Sequence, residues 1–252
     1  MARAALLIVN PAAGDGRTRR RWPRLSDALA RRAFAFESVE THRPGHATSL
    51  AEEAARAGVP LVVAVGGDGT LNEVVNGVAP LRASHPVTVG AVMTGRGRDA
   101  CRNLGLPRDP RRAVQRLVDG RVVSRDLGLA VWSGGRRFFI AAAGVGFDAL
   151  VVRRAGPRGG RLRYLAAVVA SLREYRPGPA VVDGPAGQSW TGAAASVIVC
   201  NGPSLGGGMR IAPAARVDDG LLDVVVLGDL GRIELAGWLP TVFWGGHLAN
   251  RK

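Results

Sequence analysis

Lysine is almost missing from this chain: of 252 residues only Lys252 carries an ammonium group, and arginine supplies the rest of the positive charge. The formal net charge of +14 invites a nucleic-acid reading. Against it, the arginines are scattered and follow no recognition motif. Aromatic residues are also too few, at 5%, to interleave a basic stripe. Nucleic acid is therefore not expected as a partner. An Arg- and Ala-rich, Lys-poor chain matches the coding bias of a GC-rich genome, and its functional counterpart is a basic surface drawn to anionic lipid headgroups. Cysteine is nearly absent too: Cys101 and Cys200 make neither a metal spacing nor a disulfide framework, which fits a reducing compartment. Residues 1–10 lack the charged-then-apolar layout of a signal peptide. No run reaches membrane-spanning length, since the apolar stretch 235–249 is interrupted by Pro240 and three glycines. The expectation is a cytoplasmic protein with peripheral contact to the inner face of the membrane, with room left for a homodimer. No internal repeat is present.

What the chain does hold is concentrated in residues 62–73. Val62-Val63-Ala64-Val65 reads as a buried strand, and Gly66-Gly67-Asp68-Gly69 as the tight turn after it. Thr70 and Glu73 have the spacing of a capping box that opens a helix on Leu71, Val74 and Val75. A glycine turn between a strand and a helix N-terminus aims several backbone N–H groups and the positive end of the helix dipole at one point. Phosphate belongs at such a point. Asp68 is out of place as a phosphate ligand, so its expected role is to hold a phosphate-bridging magnesium or take a proton. Capping its own turn is the plainer alternative.

In the first half, element types alternate. Strands are expected over 4–9, 34–39, 61–65 and 87–92, and helices over 20–33, 47–57, from 70 onward and over 110–118. Alternation of this kind means a parallel sheet covered on both faces. After residue 121 the pattern changes to strands over 122–130, 137–143, 193–200 and 221–227. One helix lies over 161–175, with turns at Gly178-Pro179 and Asp183-Gly184-Pro185. Two domains are expected: an α/β nucleotide-binding domain over 1–120 and a mainly antiparallel β-rich domain over 121–252. Residues 153–163, with their glycines, are the candidate mobile loop.

These residues resemble the diacylglycerol kinase-like lipid kinases, the superfamily of bacterial lipid kinases and sphingosine kinases. Four blocks carry the resemblance: Asn10-Pro11-Ala12-Ala13-Gly14; residues 41–47; residues 66–77; and Gly206-Gly207-Gly208-Met209 continuing to Ala212-Pro213 and to Asp218-Asp219-Gly220-Leu221-Leu222-Asp223-Val224. Gly144, Gly146, Phe147, Asp148 and Ala149 add a fifth piece. The third block is shared with NAD kinases, a further alternative; the last block favours the lipid kinases. The resemblance implies a Rossmann-like domain akin to NAD kinase and phosphofructokinase, followed by an antiparallel β-sandwich. It also implies ATP bound between the two and γ-phosphoryl transfer to a lipid alcohol such as diacylglycerol. Asn10, Thr41, Gly66, Gly67, Asp68, Gly69, Thr70, Leu71 and Asn72 are implied at the nucleotide, with Asp68 the catalytic residue. Asp219 and the carbonyls of Arg216 and Leu221 are implied as a magnesium site.

The chain departs from the family pattern at two places. The second glycine loop, usually Pro-Leu-Gly-Thr-Gly-Asn-Asp-Phe-Ala-Arg, here reads Met93-Thr94-Gly95-Arg96-Gly97-Arg98-Asp99-Ala100-Cys101-Arg102. Arg96 stands where threonine contacts nucleotide; its fork suits phosphate oxygens, yet its bulk can equally fill the pocket. The family's later Asp-Gly-Glu, whose acid is the proposed general base, does not occur in residues 1–252. The expectation is thus a sandwich lacking its usual last strands, and a shortened pseudokinase stands as the alternative function. Asp218-Asp219-Gly220 also reads as an ordinary hairpin turn, Gly206-Gly207-Gly208 as a turn or a site-lining segment, and Asp148 as a helix start. His42 and His46 read as loop surface. Trp238, Phe243 and Trp244 are expected near acyl chains or a membrane, or else in the core.

Overall fold

The computed structural model describes residues 5–156 and 161–249, and the chain divides into two compact units. The first contains β1 (Ala5–Val9), α1 (Ala13–Ala30), β2 (Phe36–Glu40), α2 (His46–Arg56), β3 (Leu61–Gly66) and α3 (Asp68–Val78). It continues through β4 (Thr88–Met93), α4 (Asp99–Leu104), α5 (Pro110–Asp119) and an antiparallel pair, β5 (Gly128–Trp132) with β6 (Gly135–Phe139). With that pair, the unit runs through Ile140, past the 120/121 boundary read from the sequence, and takes in Gly206–Gly208 and Val217–Asp219.

Strands β1 to β4 form one parallel sheet in the order β2-β1-β3-β4. A strand buried on both faces needs an unbroken apolar run, which is what β1 and β3 have. Alternate side chains then divide between two cores. Ile8, Val62 and Ala64 pack with Ala51, Leu71 and Val74 of α2 and α3. Leu7, Val9, Val63 and Val65 pack with Leu25, Leu29, Ala113 and Val114 of α1 and α5.

The second unit holds β7 (Ala142–Gly146), α6 (Phe147–Ala155), α7 (Arg161–Glu174), β8 (Gly178–Asp183), β9 (Ser189–Ala194) and β10 (Ser196–Cys200). It ends with β11 (Asp223–Leu227), α8 (Arg232–Trp238) and the 3₁₀ turns Leu239–Phe243 and Gly246–Ala249. Antiparallel pairing gives a sheet β11-β10-β7 and a separate hairpin β8-β9. The parallel α/β and antiparallel β architectures expected from the sequence are the ones found. Among the described residues no helix is long and apolar enough to cross a membrane.

Several local expectations need correction. The first helix starts at Ala13, but Gly14, Asp15 and Gly16 are left-handed, so its right-handed part begins at Arg17; it ends at Ala30. Residues 122–127 are not strand, and the runs 137–143 and 193–200 each break in two. The second break is at Ala195, where the chain leaves β8 as partner and joins β11 and β7. Gly178-Pro179 opens β8 rather than turning; a proline is tolerated there because β8 is an edge strand. Helix α4 has six residues, too few for a helical period to be legible. The loop expected over 153–163 has its centre, 157–160, outside the described residues; its flanks end α6 and begin α7.

Candidate functional site

The strand order sends the crossover from β1 toward β2 and that from β3 toward β4, in opposite directions. A crevice therefore opens at the carboxyl ends of β1 and β3, where open α/β sheets bind ligands. Three loops meet at this edge. After β1, Asn10 N–H donates to Val65 O at 2.9 Å, and its Nδ2 donates to Thr70 Oγ1 at 3.0 Å. After β2, Thr41 N–H donates to Val9 O at 2.8 Å. After β4, the amides of Thr94 and Gly95 both donate to Gly66 O, at 2.8 and 3.1 Å. The hydroxyls of Thr18 and Thr94 are 2.5 Å apart, tying α1 to the same loop.

Glycine is required here by close approach. A Cβ on Gly95 would stand 2.6 Å from the Gly67 Cα, so these two loops touch backbone to backbone. A Cβ on Gly97 would meet Asp68 Oδ2 at 2.8 Å. The ladder of α3 begins with Leu71 N–H donating to Gly67 O. The amides of Asp68, Gly69 and Thr70 precede it and are the orphan donors of the helix start. Together with the dipole they form an anion-attracting edge.

Asp68 is at the centre of this arrangement. Its Oδ2 accepts from Arg98 N–H at 2.8 Å and its Oδ1 from Ala100 N–H at 2.9 Å, so the carboxylate caps the first turn of α4. It caps a neighbouring loop, not its own. Asp99 stands beside it. Burial pushes the Asp99 carboxyl above the ordinary range; the Asp68 charge adds to the rise, while the Gly207 amide and Arg102 oppose it. Asp99 Oδ2 accepts from Gly207 N–H at 2.7 Å and Oδ1 from Arg102 Nη1 at 2.9 Å. Gly206-Gly207-Gly208 is thus a turn pinned onto Asp99, all three residues having positive φ.

Arg96 forms an ion pair with Asp15, in the left-handed stretch of the first loop. The bulky residue at the threonine position therefore bridges two glycine loops. Asp15 and Thr94 were not singled out as site residues. The signal existed: Gly14-Asp15-Gly16 repeats the Gly-Asp-Gly of residues 67–69.

Three expectations change. Thr70 is not a helix cap: α3 begins at Asp68 with Gly67 before it, and no side chain caps it. Thr70 instead accepts from Asn10, and Glu73 Oε2 accepts from Ala47 N–H at 3.2 Å, serving the start of α2. Leu71 has its side chain buried in the core and its amide used within the helix. Asn72 is turned toward β6, its Nδ2 donating to Phe138 O at 3.1 Å and its Oδ1 accepting from Arg137 Nε at 3.1 Å. Asn10, Thr41, Gly66, Gly67, Asp68, Gly69, Thr70 and Arg96 do come to the same edge. His42 is exposed in the loop after β2, but His46 is the half-buried first residue of α2 and not loop surface; their ring centroids are 5.4 Å apart.

Arg216, Asp219 and Leu221 lie on an irregular stretch that turns at Gly220, with φ +75°, and enters β11 at Asp223. No strand precedes the turn, so it is not a hairpin. Asp218 pairs with Arg125 at 3.1 Å, and Val217 O accepts from Asp126 N–H at 2.8 Å. In the second unit Asp148 lies in the first turn of α6 and accepts from Ser196 Oγ at 2.9 Å, consistent with a helix-starting role. Among the described residues no three His, Cys, Asp or Glu side chains cluster as a metal cage.

Comparison with known proteins follows the same division. Residues 4–130 match the model of the diacylglycerol kinase catalytic domain, and residues 141–252 that of the YegS C-terminal NAD kinase beta sandwich-like domain. A diacylglycerol kinase of Mycobacterium tuberculosis is 34% identical over 210 residues, 80% of this chain and 66% of that protein. The chain thus spans just under two thirds of that relative. A diacylglycerol kinase of Bacillus subtilis is 30% identical over 254 residues, 98% of this chain and 81% of that protein. The crystal structure of a diacylglycerol kinase from Bacillus anthracis str. Sterne matches with TM-score 0.74 and 27% identity, over 96% of this chain and 79% of that one.

Proposed function

This chain belongs to the diacylglycerol kinase catalytic-domain family of lipid kinases, and we propose that it passes the γ-phosphoryl group of ATP to a lipid hydroxyl such as that of diacylglycerol. The observation carrying this reading is the meeting of three glycine loops beside the orphan amides of Asp68, Gly69 and Thr70. Phosphoryl transfer needs little covalent chemistry from a protein; it needs a positioned triphosphate and stabilised charge. In this reading the α3 amides take phosphate oxygens, Asn10 and Thr41 shape the pocket wall, and Arg96 leaves Asp15 to grip phosphate.

Magnesium binds through one or two carboxylates, with waters and phosphates completing its shell. The residues present fit an ion that arrives with the nucleotide. Asp68 keeps lone pairs beyond its two amide bonds, and Asp219 and the carbonyls of Arg216 and Leu221 are the second candidate ligands. The ion would supply charge neutralisation along the phosphates. Asp68 has a second task that needs no metal: it holds the Arg96-bearing loop against the crevice. The lipid substrate implies peripheral contact with a membrane surface.

The Arg96–Asp15 pair supports a second reading, a pseudokinase that binds nucleotide with little turnover, because the guanidinium is already engaged by a carboxylate. ATP consumption with mixed lipid alcohols separates the two. Lipid-dependent turnover supports the kinase; Mg·ATP binding without turnover on any lipid alcohol overturns it in favour of the pseudokinase. Phosphorylation of soluble NAD without lipid overturns both.

A further inference from the structure

Three large apolar side chains near the end of the second unit face solvent: Phe243 is 55% exposed, Trp244 64% and Leu248 54%. The segment bearing them is not loose. Val242 and His247 are buried, Arg210 N–H donates to Val242 O at 2.7 Å, and His247 Nε2 hydrogen-bonds with Ile211 O at 2.9 Å. A Cβ on Gly245 would stand 2.7 Å from Pro213 Cγ, so the turn sits tightly on the unit between those anchors. Inward residues therefore hold the backbone while Phe243, Trp244 and Leu248 are presented outward. A cluster of this kind, held in place and left in water, marks an interaction surface.

We propose that Phe243, Trp244 and Leu248, with the exposed Arg210 beside them, dock the second unit onto the headgroup region of an anionic bilayer. Tryptophan favours the boundary between headgroups and acyl chains, and phenylalanine and leucine form the apolar face that interfacial segments bury there. Arginine lays its stem along apolar surface while its guanidinium reaches lipid phosphate. The chain's +14 charge complements an anionic leaflet and not a neutral one. The choice of a bilayer over a protein partner rests on the lipid-kinase reading, whose acceptor resides there.

The test is co-sedimentation of the full chain with vesicles of phosphatidylglycerol and phosphatidylcholine, without nucleotide. The expected result is binding to the mixed vesicles and weak binding to phosphatidylcholine alone. Replacing Phe243 and Trp244 together by alanine should weaken binding at least about tenfold, as expected for losing two inserted aromatics. Arg210→Glu should weaken it on anionic vesicles only, with both variants melting like the parent. A blue shift of emission on vesicle addition should vanish in Trp244→Phe. Absence of binding by the parent, or undiminished binding by the double variant, overturns the proposal. So does a concentration-dependent dimer abolished by the same double variant, which makes the surface a contact between copies. Because no ATP is used, vesicle binding without any kinase turnover would sink the kinase reading and leave this docking surface standing.

Discussion

Asn10 Nδ2 donates to Thr70 Oγ1 at 3.0 Å, joining the loop after β1 to the first turn of α3 across the crevice of the sheet. The other end of the same amide, Oδ1, accepts from Ala12 N–H at 3.1 Å. One side chain thus fixes both walls of the proposed phosphate site. Asn10→Ala removes both bonds and should cost about 1–3 kcal/mol. Urea denaturation reads that loss, and titration with Mg·ATP should show weakened binding; an unchanged affinity would detach Asn10 from the site.

Asp68→Asn keeps the shape but replaces one acceptor oxygen by an NH₂, which opposes the amide of either Arg98 or Ala100. The loop carrying Arg96 should loosen. Expected are a lowered melting temperature, weaker Mg·ATP binding and a turnover loss of at least about a hundredfold. A variant that loses turnover but keeps stability and ATP affinity would confine Asp68 to the reacting phosphate and metal.

Gly95→Ala and Gly69→Ala form a contrasting pair. The first pushes a methyl into Gly67 and should destabilise by about 1–3 kcal/mol while separating the loops. The second meets no atom within 4 Å and should fold normally. If phosphate lies against the α3 amides, Gly69→Ala should nevertheless weaken Mg·ATP binding. Thermal melts and titration on the same samples check both expectations.

Arg96 and Asp15 are both more than half exposed, so their pair contributes about 0–1 kcal/mol to stability. Arg96→Thr should melt within a few degrees of the parent. Its effect belongs to the nucleotide: weaker Mg·ATP binding with a shallower salt dependence if Arg96 grips phosphate, tighter binding if it blocks the pocket. Asp15→Asn frees the guanidinium and should tighten binding in the first case. Isothermal titration at two salt concentrations discriminates the cases.

His247 is buried, and burial holds its pKa below the ordinary imidazole value, with the Ile211 carbonyl opposing the shift. Among the described residues its Nδ1 has no hydrogen-bond partner, so protonation would place a second donor or a charge where none of them receives it. A depressed folded pKa means that the unfolded chain takes the proton first. The stability concerned is fully present above the unfolded value of about 6.5 and is lost as pH falls through the folded value. The urea midpoint of the parent should drop between pH 7.5 and 5 more than that of His247→Gln. Parallel curves would remove His247 as the cause.

Much of the site was legible because it is local. The run 62–65 with Gly66-Gly67-Asp68-Gly69 encodes strand, turn and helix within a dozen residues, and the structure has all three. The placing of Asn10 and Thr41 beside that turn came through family resemblance, and parallel pairing of β2, β1 and β3 brings them there. The capping box at Thr70 and Glu73 misled because both side chains had better partners elsewhere, Asn10 and the start of α2. Leu71 and Asn72 sit within the motif by sequence, yet helix rotation turns one into the core and the other toward β6.

Residue order alone determined the alternating strands and helices of the first unit, the antiparallel character of the second and the glycine turn that invites phosphate. These follow from periodicity and backbone conformation, which act over a few residues. Tertiary structure decided which atoms those elements meet: Asp68 with the amides of Arg98 and Ala100, Asp99 with Gly207, Arg96 with Asp15. Each of those bonds spans 30 to 108 residues of chain. No pattern in a neighbouring window encodes such a choice, because it depends on how the packed sheet orients three loops at once.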